Sequence, residues 1–476
     1  MSYFTFTGAC QVRQFCLPFA ISLILFSGVS HADARTENAQ LIAKGKYLAT
    51  AADCGACHTS PHQGATMAGG YAIPSPMGGI YASNITPSTT DGIGNYSEAE
   101  FARAVREGVN KQGQHLYPAM PYTAYAKISD DDIHALYFYF MHGVAPVDSP
   151  VPPTQLAFPF NIRASMAVWN LLFADNQRFT PTAGVSEQIN RGDYLVNALA
   201  HCDTCHTPRN ALMGQQNDRA LSGGSLGSWY APNITPDLQS GIGNWTPAEL
   251  AQYLKTGHLS GKAQAAGPMA EAIEHSLQYL SDSDIAAMVA YLRQVPAVSN
   301  GDVRARESYG AVSGSEQQLR GQTGDVDAGW KVFSGSCANC HQPDGQGSER
   351  YPSLFHNTAT GADRPDNLVS TILFGVQRTV HGEAIAMPEF GPNADFAMRL
   401  SDQQIADVSN YVLKNYGNPQ VTVTAEQVKT LREGGETPLL VRLTRPAVMA
   451  GAGLALVLIV AGLVMIKRRR QHVAAK

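Results

Sequence analysis

The sequence predicts an all-α protein: three small helical domains in series, closed by one C-terminal transmembrane helix. Three observations predict it. A C-x-x-C-H string occurs three times along the chain, a serine-capped helix with the same apolar stripe follows each string, and Ala447 to Ile466 carries no charge. The strings divide the chain, the capped helices close each division, and the uncharged run has the length a helix needs to cross a bilayer.

Taken in order, residues 1–34 read as a secretory signal. Arg13 precedes an apolar run from Phe15 to Val29, and either Ala32 or Ala34 fits the residue before the cut. The first domain is expected over 35–143, with a first helix bearing Gly45 and Tyr47, the string Cys54-Gly55-Ala56-Cys57-His58, and a helix capped by Ser129. A linker over 144–180 starts proline-rich from Val144 to Phe160, which suggests an extended connector. The second domain, 181–295, repeats the plan with Gly192 and Tyr194, Cys202-Asp203-Thr204-Cys205-His206 and Ser281. A Gly-, Ser- and Gln-rich linker over 296–325 is expected to be irregular. The third domain, 326–417, carries Gly329 and Phe333, Cys337-Ala338-Asn339-Cys340-His341 and Ser401. In the closing helices Ile133, Leu136 and Tyr139 recur as Ile285, Met288, Tyr291 and as Ile405, Val408, Tyr411. Spacings of three and six put each set on one inward face. A small residue near an aromatic one suits a close crossing of first and last helices.

A membrane-proximal segment, 418–445, leads to the predicted span at 446–466 and a basic tail at 467–476. Lys467-Arg468-Arg469-Arg470 follows the apolar run at once. By the positive-inside rule the tail stays cytoplasmic and the domains face the periplasm of the inner (cytoplasmic) membrane. The net charge of −5 conceals an acidic body, because the last ten residues hold five basic groups and no acidic one. That distribution argues against nucleic acid as a partner. With 44% hydrophobic and 15% charged residues, wholesale disorder is excluded.

Of eight cysteines, Cys10 and Cys16 lie in the signal and the other six fill the three strings, none left over. C-x-x-C-H is the attachment signature of haem c: two thiols one helical turn apart form thioethers and the next imidazole meets the iron. Zinc knuckles bring their cysteine pairs close in sequence, and here the strings stand far apart. A thioredoxin-like redox pair does not call for a histidine after every second cysteine. The expectation is three covalent haem c groups on Cys54/Cys57, Cys202/Cys205 and Cys337/Cys340, with His58, His206 and His341 as axial ligands.

An internal repeat selects the opposite ligands. Asn84-Ile85-Thr86-Pro87 recurs as Asn233-Ile234-Thr235-Pro236, and Gly92-Ile93-Gly94-Asn95 as Gly241-Ile242-Gly243-Asn244. On the same offset Met120 meets Met269, each among turn-formers, and Ala386-Met387-Pro388 is the corresponding loop of the third domain. Met thioether opposite His stabilises ferrous iron. Met120, Met269 and Met387 are therefore the expected sixth ligands, ahead of Met77, Met141, Met213, Met288 and Met398. Met141, Met288 and Met398 fall on or near predicted helices and read as packing residues.

Together with the three strings, the segments Gly92-Ile93-Gly94-Asn95, Leu116-Tyr117-Pro118-Ala119-Met120-Pro121-Tyr122 and Phe158-Pro159-Phe160-Asn161-Ile162-Arg163 carry a resemblance. Over nearly all of 35–418 the chain resembles the triheme cytochrome c subunits of bacterial membrane-bound dehydrogenases, of the quinoprotein alcohol or flavoprotein gluconate, sorbitol and fructose type. The resemblance implies three tandem cytochrome c-type haem domains. It also implies a catalytic dehydrogenase subunit holding PQQ or FAD, room for a small third subunit, and ubiquinone as acceptor. The chain alone is then an electron-transfer subunit without catalysis of its own. Two rivals are a multihaem c-type peroxidase, which needs an exchangeable iron position, and the cytochrome subunit of another respiratory complex such as an oxidase. No G-x-G-x-x-G opens a helix, so substrate oxidation is assigned to another chain. Arg163 and Trp169 are candidates for a propionate or quinone contact, or for ordinary docking.

Overall fold

The computed structural model describes residues 1–3, 5, 35–60, 64–322, 326–445 and 448. The predicted signal (1–34) lies almost wholly outside them, and the predicted span (446–466) and basic tail (467–476) lie outside them but for Val448. The first helix, over 35–51, and the closing helix Asp130–His142 build the first domain. The helices Glu187–Tyr194 and Asp282–Leu292 build the second, and Ala328–Val332 with Asp402–Tyr416 the third. In every domain the pair crosses at a glycine. A Cβ on Gly45, Gly192 or Gly329 would collide with the carbonyl oxygen of Ala135, Ala287 or Asp407 on the closing helix. Ser129, Ser281 and Ser401 cap those helices, accepting from the backbone N–H of Asp132, Asp284 and Gln404.

The expectation of an all-α chain is corrected, while the expected transmembrane helix lies outside the described residues. The protein is mixed helix and sheet. Ala72–Ser75 pairs antiparallel with Gly78–Tyr81, which also takes Gln155–Leu156 as a third strand. Gly224–Leu226 pairs with Trp229–Ala231, and Val376–Val380 with Glu383–Met387. Turns at Gly227 and Gly382, both at positive φ, let these hairpins close tightly. Val376–Val380 alternates buried and exposed along its length. Among the described residues no helix is long and apolar enough to cross a membrane.

The connectors are folded. The first contributes the strand Gln155–Leu156 and the helix Ser165–Phe173, and the second the short helix Ser315–Leu319. Arg163 stacks over Tyr117 at 4.6 Å and donates to the His115 carbonyl, while Trp169 donates to the Leu212 carbonyl in the second domain. Both are docking contacts.

The first two domains share one hydrophobic core and meet in a pseudo-two-fold exchange. Tyr47 of the first donates its hydroxyl to Asp284 of the second (2.7 Å), and Tyr194 of the second donates to Asp132 of the first (2.7 Å). Each carboxylate is also paired within its own domain, Asp132 with Lys44 and Asp284 with Arg191 (both 2.7 Å). The carboxylate at the third helical position of these two closing helices thus meets the tyrosine of the other domain rather than closing a capping box. In the third domain the residue two after the crossing glycine is Lys331, and Phe333, two residues further on, keeps its ring within the domain, 5.1 Å from that of Tyr411.

Tyr194→Phe is expected to cost about 2 kcal/mol and Tyr47→Phe about 1, because only the former leaves Asp132 short of a buried partner. Denaturant unfolding of the full chain measures both. Burial favours the neutral form of Asp284, but hydrogen bonds from Arg191 and Tyr47, with the Arg191 charge, hold it below the usual carboxylate range. A depressed folded value stabilises fully above about pH 4, the unfolded value, and the contribution fades as pH falls through the folded one. Asp284→Asn should therefore flatten the acid limb of a melting-temperature profile.

The third domain docks onto the second through its hairpin and its C-terminal helix. Gln278, buried in the second domain, donates to the Thr379 carbonyl and accepts from the His381 N–H. Asn367 bonds both backbone groups of Tyr230, and Ser228 donates to the Leu431 carbonyl at 2.6 Å.

Candidate haem-binding sites

Each C-x-x-C-H string forms a short helix, Cys54–His58, Cys202–His206, and Ala338–His341 just after Cys337. The chain enters the first two through a residue in left-handed conformation, Asp53 (φ 55°) and His201 (φ 39°), types that tolerate it among non-glycines. A π-helical turn precedes the second and third, at Leu195–Leu199 and Phe333–Cys337. One turn of helix separates the two thiols of each string, the spacing that two thioether bonds to one macrocycle require.

The histidines share one arrangement. His58 Nδ1 lies 2.6 Å from the Ser83 carbonyl oxygen, His206 Nδ1 2.6 Å from that of Pro232, and His341 Nδ1 2.9 Å from that of Pro352. A carbonyl can only accept, so Nδ1 carries the proton and Nε2 keeps its lone pair for a metal. Burial pulls all three imidazoles below their ordinary value, His206 to about 4, so each is neutral at pH 7. A neutral imidazole, oriented from behind by a carbonyl, is the donor that haem iron takes. The residues present fit haem c. The carbonyl acceptors were missed in the sequence, although Ser83 and Pro232 stand one residue ahead of the repeated Asn-Ile-Thr-Pro.

That repeat is structural. Asn84 and Asn233 each accept from the threonine two residues on, at its N–H and its hydroxyl, and each donates across to a carbonyl, of Val147 or Val298. The glycines of Gly-Ile-Gly-Asn lie against the same turn: a Cβ on Gly92 or Gly241 would strike the carbonyl oxygen of Thr86 or Thr235. The two motifs are halves of one loop.

Met120 sits in a turn, as expected, its N–H bonded to the Tyr117 carbonyl. Met269 lies instead in the first turn of the helix Gly267–His275, and Met387 ends the strand Glu383–Met387. All three pack against their domain cores. Met67, also buried near the first string, bonds the Thr59 hydroxyl through its N–H as Leu221 bonds that of Thr207, so its repeat partner is a leucine and its part is packing. Met288 is wholly buried in a closing helix, and Met398 is exposed.

The second site lies between the other two domains. The Met269 helix packs against the Cys54–His58 helix on one side and the strand Val376–Val380 on the other. Tyr125 of the first domain donates to the Ala52 carbonyl and stands edge-on to His201 at 5.6 Å. Asp53, beside the first string, is raised well above the usual carboxylate range by burial and by the Glu271 charge on the Met269 helix.

Three attachment helices with backed imidazoles, each in its own small domain, define a multi-domain haem protein. The cytochrome c family model matches residues 42–143, 189–296 and 326–415, and the chain belongs to that family. It is 47% identical to the fructose dehydrogenase cytochrome subunit of Gluconobacter japonicus, over 91% of this chain and 92% of that one. It is 41% identical to the gluconate 2-dehydrogenase cytochrome c subunit of Pantoea cypripedii, over 83% and 90%. The cytochrome c subunit of the quinone alcohol dehydrogenase of Gluconobacter oxydans is 38% identical, over 88% and 87%.

Proposed function

We propose that this chain is the electron-transfer subunit of a membrane-bound dehydrogenase, taking electrons from a catalytic subunit that holds FAD or PQQ and delivering them to ubiquinone. The observation that carries the reading is the backed imidazole, made three times in one body whose middle domain touches both others. The kinship with dehydrogenase cytochrome subunits supports it. Bound haem c supplies a one-electron ferric/ferrous couple. The chain's part is to tether each group through Cys54/Cys57, Cys202/Cys205 and Cys337/Cys340. His58, His206 and His341 would each give an imidazole nitrogen to a bound haem, and Met120, Met269 and Met387 would each give a thioether. The shared core fixes the first and second sites relative to each other, and the hairpin Val376–Met387 fixes the third against the second. The domains work on the periplasmic face of the inner membrane, with a small further subunit of the complex a candidate companion.

The test is a native complex: quinone reduction by the copurified catalytic subunit should stop when this chain is removed and return when it is added. Met387→Ala should alter the spectrum of one haem and open it to carbon monoxide, which the wild-type chain should not bind rapidly. Rapid stoichiometric binding by the wild type, with turnover of hydrogen peroxide, would move the reading to a peroxidase.

A further inference from the structure

Two arginines in the second site, Arg378 buried and Arg306 half-buried, have no carboxylate partner. Arg378 belongs to the third domain, on the strand Val376–Val380, yet its guanidinium is buried in the second. It is 2% exposed; Nη1 donates to the Ala265 carbonyl at 2.6 Å, while Nε and Nη2 are buried without a partner. Arg306 comes from the connector between the second and third domains. Its Nη2 makes only long bonds, 3.4 Å, to the carbonyls of Asn233 and Gly241, and its Nε is buried and unpartnered.

Both converge on the same place. The charges of Arg306 and Arg378 both act on the Tyr253 hydroxyl, and that of Arg306 acts also on His206. Tyr253 packs edge-on against Trp245 at 5.5 Å, and Trp245 Nε1 is a third buried donor without an acceptor. Burial pulls both guanidinium groups below their ordinary value, but arginine stays charged in proteins. Glu307 and Asp302 near Arg306, and Glu274 near Arg378, act at longer range, and none makes an ion pair with either among the described residues. Unpaired charges in such a place are costly unless an anion meets them.

The geometry points to Arg306 and Arg378, with the Trp245 indole, as the clamp for the two propionates of the second haem. Two guanidinium groups match two carboxylates in number and sign, and the free N–H groups supply the charge-assisted hydrogen bonds that carboxylates take. The second site is therefore completed in trans, by the connector and by the third domain. The hairpin that lends Arg378 also ends in Met387, with Val376 opposite Met387 and Arg378 opposite Ile385. One hairpin thus serves two sites, which makes the relative position of second and third haems a property of ten residues or so rather than of a flexible joint. Among the described residues Arg106 is also buried, but it pairs with Asp130 at 2.7 Å and donates to the Ile128 carbonyl, so its charge is met and only its Nε lacks a partner.

The inference rests on haem c in the second domain, so the test first counts haems. Arg378→Gln and Arg306→Gln are made in the full chain, alongside Arg378→Lys. All should keep three haems by pyridine haemochrome, one per string. Redox titration should then show one potential of the three shifted down, the other two unmoved. Losing a cation beside the propionates favours the ferric form, by about tenfold in the reduction equilibrium or ~59 mV for one electron. Arg378→Lys keeps the charge and should recover most of the shift, which a merely structural arginine would not require. The same potential should also become more dependent on pH, as an unclamped propionate takes up protons more readily. Unchanged potentials in both glutamine variants, or an equal drift of all three, overturn the clamp. Fewer than three haems in the wild type overturns the underlying reading instead.

Discussion

Gly192→Ala should destabilise the chain by about 3 kcal/mol, the upper range for forcing extra volume into a packed interior. The added Cβ meets backbone: it would strike the Ala287 carbonyl oxygen and lie 2.6 Å from its carbon and 2.7 Å from the Tyr291 Cβ. No rotamer change relieves a carbonyl, so the helices Glu187–Tyr194 and Asp282–Leu292 must part. Their separation moves both Arg191 and Tyr194, the residues that hold Asp284 and Asp132. Loss at one crossing should therefore loosen the exchange between two domains, and the shared core predicts that they melt in one transition. Gly314→Ala is the control, since a Cβ there meets only the flexible end of Gln318. Thermal unfolding followed by circular dichroism reads both; a Gly192→Ala chain that melts like wild type would remove the crossing from the account of stability.

What could be read in the sequence was what local chemistry dictates. Three cysteine–histidine strings, three serine caps and three crossing glycines each act within a few residues or across one helix pair, and pattern suffices to find them. The all-α expectation failed because the segments between string and closing helix carry hairpins whose strands run only two to five residues, too short for periodicity to stand out. Val376–Val380 alternates in burial, but the charged Arg378 at its buried centre breaks the apolar alternation in the sequence.

Contacts between domains were not readable at all. Tyr47 and Tyr194 stand where a helix-crossing aromatic is expected, and nothing nearby in sequence tells that Asp284 and Asp132 await them in the other domain. The residue two after the crossing glycine was the one available hint: in the third unit it is Lys331, which brings no tyrosine hydroxyl to exchange. Arg378 was invisible for the same reason. Its strand belongs to one haem domain and its charge to another. Pairing by side-chain hydroxyls and buried charge, rather than by apolar area alone, fixes register between domains, because a polar group buried out of register is left unsatisfied.

Cys202→Ala with Cys205→Ala should leave a chain with two haems and no quinone reduction beyond the level seen without the chain. The Met269 helix contacts the first string's helix and the third domain's hairpin, so the second site stands between the others. Removing its tether leaves the donors at both ends intact: His58 and His341 keep their carbonyl partners, Ser83 and Pro352, and each domain keeps its own closing helix. The remaining two haems should still be reduced by dithionite and still show their own spectra, but reduction by the catalytic subunit should reach one of them and stop. Stopped-flow absorbance separates these cases, since a fast phase of one haem is expected where the wild type shows three. The loss also strips Arg306 and Arg378 of their proposed counter-charges, so the variant should melt lower than wild type through the domain interface and not only within the second domain. Full quinone reduction by the two-haem chain would place the second site off the route, and the middle position of that domain would then have to be explained by assembly alone.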